Sequence, residues 1–213
     1  MAETSKPSAK IELHTLFSTP VAVAILPDTG PLNRALHATI LTQEKSYPST
    51  KHSNLGGWQP TGDIDEWGGE KIRNILTFTR QFADKLTVNR QGQPALQNWL
   101  MNAWGNVSQL GHGNEFHTPP SRVLSACYYV GDGGITDDLS VGGQFKIQDP
   151  RGVAPAIFQP NLAPNVPNNA AFGAREIISP TAGTILTFPS WLSHAARPYT
   201  GGDVRISAAM NLS

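Results

Sequence analysis

Charge imbalance, cysteine and long apolar runs are what this chain of 213 residues has least of. Sixteen basic residues against sixteen acidic ones leave no net charge, so it carries no electrostatic footprint for a nucleic-acid backbone or an anionic membrane surface. The single cysteine, Cys127, excludes an internal disulfide and any cysteine-cluster zinc site, and it suits a reducing compartment. It sits in an apolar run and reads as core. No stretch of about 18 apolar residues occurs, and the first ten residues are polar without an apolar signal core. These absences lead us to expect a cytoplasmic protein acting on a small-molecule or peptide substrate. No nucleic-acid or membrane partner is expected, and a homodimer is left open. The sequon at Asn106 is then a coincidence.

The chain is long enough for one domain with a full hydrophobic core. Residues 1–10 read as a flexible tail. Residues 11–105 read as a strand- and helix-bearing support region, and 106–213 as a β-rich core. The support region shows a strand at 21–26, and Pro31 then starts a helix with Leu32, Leu36, Ile40 and Leu41 at helical spacing. A long irregular loop follows at 46–69, in which Trp58 reads as a plug over the core. The strongest helical stripe is Ile72, Ile75, Leu76, Phe82, Ala83 and Leu86 within 70–86. Residues 94–104, with Leu96, Trp99, Leu100 and Trp104, read as a mixed helical segment whose aromatics pack, passing into a strand at 103–107. From about 106 onward the texture is short β-rich runs between Gly, Pro and Asn: strands at 121–130, 143–148, 176–179, 183–188 and 204–212. Residues 154–173 are rich in Pro and Asn and read as a lid or crossing loop. The fold class is mainly β with N-terminal helices, a barrel or sandwich.

The chemistry gathers near the C-terminus. Phe188-Pro-Ser-Trp-Leu-Ser-His194 and Arg205-Ile-Ser207 read as two neighbouring antiparallel strands joined by Tyr199-Thr-Gly-Gly-Asp203, so that His194 and Arg205 face one pocket. Strand alternation sends Arg205 and Ser207 to one face, where a charge and a hydroxyl together suit a carboxylate. A second metal-capable imidazole, His117, precedes the strand at 121–130. Two imidazoles with a carboxylate would suit a nonheme iron centre with open coordination positions. Gly142-Gly143 and Asp149-Pro150-Arg151 read as turn devices, with Arg151 open as a contact for an acidic substrate. Trp191 reads as packing on the barrel wall.

In order and spacing the chain resembles the 2-oxoglutarate and iron(II)-dependent oxygenases of the prolyl-hydroxylase-like branch. The resemblance runs through Leu16-Phe17-Ser-Thr-Pro20-Val21, Ser53-Asn-Leu-Gly-Gly-Trp-Gln59, Trp104-Gly-Asn-Val107 and His117-Thr-Pro119. It continues through Leu124-Ser-Ala-Cys-Tyr-Tyr-Val130, Gly142-Gly-Gln-Phe145, Asp149-Pro-Arg151 and the two C-terminal runs. It implies a double-stranded β-helix core, of the jelly-roll, cupin-like kind. It also implies an Fe(II) cofactor, 2-oxoglutarate and dioxygen as co-substrates, and hydroxylation or another oxidation of an unidentified substrate. By the same resemblance His117 and His194 would be iron ligands, Arg205 and Ser207 would bind the distal carboxylate of 2-oxoglutarate, and Tyr128 or Tyr129 would line that pocket.

One position departs from the superfamily pattern. The first ligand motif there is His-x-Asp or His-x-Glu, whereas His117-Thr118 is followed here by Pro119, which has no ligating atom. Three explanations stand side by side. Glu115, two residues before His117 and on the same face of a regular strand, swings in as the carboxylate ligand. Alternatively, the position takes water or a halide, as in a halogenase-like variant. Lastly, the site binds metal weakly or not at all, leaving a noncatalytic jelly-roll binding or structural module. His112, between glycines, is a further candidate ligand.

Overall fold

The computed structural model describes residues 17–95, 97–153, 157, 161 and 174–213. The expected tail at 1–10, the Leu96 position and most of the expected crossing loop at 154–173 lie outside the described residues. The elements run β1 (Ala22–Ile25), α1 (Gly30–Ser46), β2 (Asn54–Leu55), α2 (Ile64–Trp67), α3 (Gly69–Leu86), β3 (Met101–Ser108), β4 (Gly113–His117) and β5 (Leu124–Gly131). They continue with β6 (Phe145–Gln148), β7 (Arg175–Ile178), β8 (Thr184–Pro189), β9 (His194–Ala196) and β10 (Arg205–Leu212). The strands form two five-stranded antiparallel sheets, ordered β1-β8-β5-β10-β3 and β2-β4-β9-β6-β7.

Helices α1 and α3 lie on the outer face of the first sheet, as their apolar stripes predict. Leu36 and Ile40 of α1 and Ile72, Ile75 and Leu76 of α3 join Ile206, Ala208 and Met210 of β10 in one core cluster. Alternation along β10 explains this: even-numbered residues meet the helices, while Arg205, Ser207, Ala209 and Asn211 face the interior between the sheets. β10 is therefore covered on both faces. A second cluster, including Tyr129, Phe145, Leu186 and Phe188, fills the space between the sheets. Trp58 plugs the core as expected, 6% exposed, with its indole N–H donating to the Tyr47 carbonyl at 2.9 Å.

Two expectations about local structure are corrected. No helix forms over the described part of 94–104. Leu100 instead exchanges both backbone hydrogen bonds with Ser213, and Trp99 donates its indole N–H to Asp84 Oδ1 at 2.8 Å, so extended pairing beside the last strand prevails over helical periodicity. Trp191 does not pack on the wall but stands 57% exposed, while its neighbour Ser190 is the buried member of the corner and hydrogen-bonds Ser125.

The strands bearing His194 and Arg205 are not neighbours either. β9 pairs with β4 and β6 in one sheet, and β10 pairs with β3 and β5 in the other. The link between them crosses from sheet to sheet, pinned by fully buried Tyr199 and by backbone hydrogen bonds from Gly143 N to Pro198 O and from Thr200 N to Val141 O. Gly142, at φ 78°, makes this approach possible: a Cβ there would collide with the Pro198 carbonyl oxygen.

Candidate metal and carboxylate site

A cavity of about 580 Å3, counting its open mouth, lies between the sheets and has His117 and His194 on one wall and Arg205 on the other. The histidines sit on adjacent paired strands rather than facing ones. They are directly opposed in register, with ring centroids 4.3 Å apart. Each ring is oriented by a backbone carbonyl: His117 Nδ1 meets Glu115 O at 2.9 Å and His194 Nδ1 meets Leu192 O at 2.9 Å. A carbonyl only accepts, so Nδ1 carries the proton in both rings and Nε2 keeps its lone pair, which is the tautomer a metal needs. His194 is packed between Phe188 and Phe145, at ring distances of 4.7 and 5.5 Å. Burial first, and then the neighbouring His117, lower its pKa from 6.5 to about 4, so it is neutral at physiological pH.

Across the cavity, Arg205 is 4% exposed, with its guanidinium carbon 5.2 Å from the centre of the Tyr129 ring. Arg205 Nε and the Tyr129 hydroxyl are both buried without a hydrogen-bond partner. Burial holds the Tyr129 phenol well above its usual pKa, so it stays a neutral O–H donor despite the cation beside it. Ser207 stands between Asn106 and Tyr129 in the strand register, buried and facing the cavity. A buried cation, an unpartnered phenol and a hydroxyl converging on one space suit a carboxylate, since unpaired buried donors are costly until an anion fills them. The residues present thus fit a divalent metal at one end and an anionic chelator reaching to the other.

Four sequence expectations are revised by this geometry. Tyr129, not Tyr128, lines the cavity; Tyr128 faces α1 and donates to Asn33 Oδ1 at 2.6 Å. The sign was present in the sequence: Leu124, Ala126, Tyr128 and Val130 share an apolar parity, while Ser125, Cys127 and Tyr129 share the other. Glu115 does not join the histidines. A register shift between Asn114 and His117 breaks the alternation that would have aligned them, and leaves the Glu115 side chain exposed and off the cavity wall. Among the described residues no group of three His, Cys, Asp or Glu side chains could hold a metal, and Pro119 lines the cavity without a donor. His112 is no ligand: its ring rests beside Gly56, and its Nδ1 accepts from Gln109 N at 3.0 Å. Cys127 packs against the second cluster as expected, with burial raising its thiol pKa, and it also lines the cavity; so does Trp104, read as packing. Sequence reasoning missed Ser53 and Asn114 as individual wall residues, although Ser53 opens the loop run that carried the resemblance.

A family model described as "Putative 2OG-Fe(II) oxygenase" matches residues 102–211, just over half of the chain. No curated protein sequence matches. Among solved structures, a prolyl-4-hydroxylase from Pseudomonas putida is 18% identical over 92% of each chain, with a TM-score of 0.62. A prolyl hydroxylase from Trichoplax adhaerens, solved with a hypoxia inducible factor oxygen degradation domain peptide, is 14% identical over 90% of this chain and 82% of its own, with a TM-score of 0.62. HygX from Streptomyces hygroscopicus, solved with nickel and 2-oxoglutarate, is 10% identical over 92% of this chain and 83% of its own, with a TM-score of 0.59. At these identities the likeness is one of fold, a double-stranded β-helix.

Proposed function

Since the chain belongs to the 2OG-Fe(II) oxygenase family, and is therefore an enzyme dependent on iron(II) and 2-oxoglutarate, we propose that His117 and His194 hold the iron and that Arg205, Ser207 and Tyr129 hold the distal carboxylate of 2-oxoglutarate. The observation that carries this assignment is the pairing, across one cavity, of two imidazoles protonated at Nδ1, so that each Nε2 keeps its lone pair, and a buried arginine whose Nε has no partner. The bound iron and 2-oxoglutarate together supply the oxidising power drawn from dioxygen. The protein's part is to hold and shield. Glu115 and Leu192 carbonyls fix the imidazole tautomers, Arg205 and Tyr129 orient the co-substrate, and Phe145 and Phe188 keep water from the His194 side.

The substrate is a small molecule or a peptide. The cavity wall carries neutral hydrogen-bonding groups such as Ser53, Gln59, Asn106 and Asn114, which suits an uncharged polar substrate. No described helix is long and apolar enough to cross a membrane. We place the protein in the cytoplasm on the strength of its one free cysteine and balanced charge. Anaerobic titration with iron(II) and 2-oxoglutarate tests the assignment. The wild type gives the weak visible charge-transfer band of the chelate, and His117→Ala and His194→Ala abolish it. A band of undiminished strength in both variants would overturn the assignment.

A further inference from the structure

We propose that Ser53, held in place by Asn114, supplies a neutral oxygen to the metal position left without a carboxylate by Pro119. This rests on the reading of His117 and His194 as ligands. Ser53 Oγ stands 3.4 Å from His117 Nε2, the ring nitrogen whose lone pair faces the cavity. Two donors bound at about 2.1 Å to one cation, at a right angle to each other, sit roughly 3 Å apart. The observed separation is therefore close to that of two adjacent ligands, and a small rotation about the Ser53 side chain covers the difference.

The backbone of Ser53 is fixed. Its carbonyl accepts from Glu115 N at 2.8 Å, and the next residue, Asn54, pairs with Asn114 across β2 and β4. Asn114 Nδ2 donates to Ser53 Oγ at 3.4 Å, which leaves the hydroxyl a lone pair directed elsewhere. Without a metal, the Ser53 hydroxyl is the donor toward His117 Nε2, because Nδ1 already carries that ring's proton. A metal would take the imidazole lone pair and accept the hydroxyl oxygen in the same movement.

Among the described residues no other protein side chain takes this position. Glu115 faces outward, Pro119 has no donor, and no acidic or thiol side chain completes a three-donor group with the histidines among the described residues. A serine in place of a carboxylate leaves the centre one unit more positive. The doubly negative 2-oxoglutarate then contributes more to holding the metal than it would beside a carboxylate, and by linkage the metal strengthens 2-oxoglutarate binding by the same factor.

Cobalt(II) titration of the metal-free protein, followed by absorption and calorimetry, is the test. Ser53→Ala weakens cobalt binding by roughly 10-fold, in the range found for groups that support a metal ligand. Ser53→Cys places a thiol at the same point and gives a near-ultraviolet thiolate-to-cobalt charge-transfer band. The wild type, which keeps Cys127, supplies the baseline. Cobalt uptake that depends on His194 but gives no new band in Ser53→Cys overturns this inference alone. A wild type that takes up no cobalt, or the same amount after His194→Ala, overturns the assignment of the histidines and this inference with it.

Discussion

Replacing Arg205 with methionine separates two quantities that usually fall together, stability and co-substrate affinity. Arg205 is 4% exposed, its Nε has no partner, and among the described residues no ion pair to a carboxylate relieves it. In the protein without co-substrate it is therefore a desolvated cation supported mainly by the Tyr129 ring, which offsets only part of that desolvation. A docked carboxylate turns the same cation into one end of a buried, charge-assisted pair, and losing such a pair costs about 2–4 kcal/mol. That range corresponds to roughly 30- to 1,000-fold in affinity. Methionine keeps much of the stem's volume without the charge. Arg205→Met should thus bind 2-oxoglutarate 30- to 1,000-fold more weakly in calorimetric titration of the cobalt-loaded protein, while the metal-free protein melts at or above the wild-type temperature. Binding within about threefold of wild type would refute the carboxylate assignment. A large drop in melting temperature would show that Arg205 is a structural cation instead.

Tyr129→Phe should weaken 2-oxoglutarate roughly 10- to 150-fold, the effect of one hydrogen bond to a charged acceptor. Tyr128→Phe should leave affinity unchanged and reduce stability by about 1 kcal/mol through loss of its bond to Asn33, which the same titration and a denaturant melt distinguish. Gly142→Ala combines an unfavourable φ of 78° with a collision against Pro198, so it should destabilise the fold by at least about 2 kcal/mol in urea unfolding. His194 stays neutral in the fold down to about pH 4, whereas the unfolded chain protonates it below about 6.5. The unfolded state therefore binds the extra proton in that window. The metal-free protein keeps this contribution above pH 6.5 and loses up to ~3 kcal/mol as pH falls to 4. Melting temperatures taken between pH 8 and 4 should show the fall, and His194→Leu should flatten it.

The helices and the late strands were legible because each has one dominant periodicity. Residues 70–86 repeat at helical spacing, and the expected strand 204–212 differs from β10 by one residue at its start and none at its end. The sheet assignment of β9 was not legible. A Gly-Gly link of this length serves a hairpin or a crossover equally well, and what decides is the burial of Tyr199 and the contact of Pro198 with Gly142, which lies far back in the sequence. The same limit explains Glu115. Its alternation with His117 was sound for a regular strand, and a register shift that no local residue announces reversed the result. Tyr129 was recoverable from parity alone. Ser53 was not, because its partner His117 is 64 positions away.

Because His194 and Arg205 stand on opposite sheets, the span between them follows from sheet packing, about 10 Å face to face, rather than from a loop that could stretch. The two walls act as a fixed gauge. On the proposed assignment a keto acid would have to bridge the gap to be gripped at both ends, so a four-carbon analogue would reach one wall and fall short of the other, and a six-carbon one would have to buckle. Discrimination among diacids would thus be built into the distance between layers that also hold the core. A mutation which loosens that core, far from any ligand, would blur the enzyme's sense of length before it unfolded the protein.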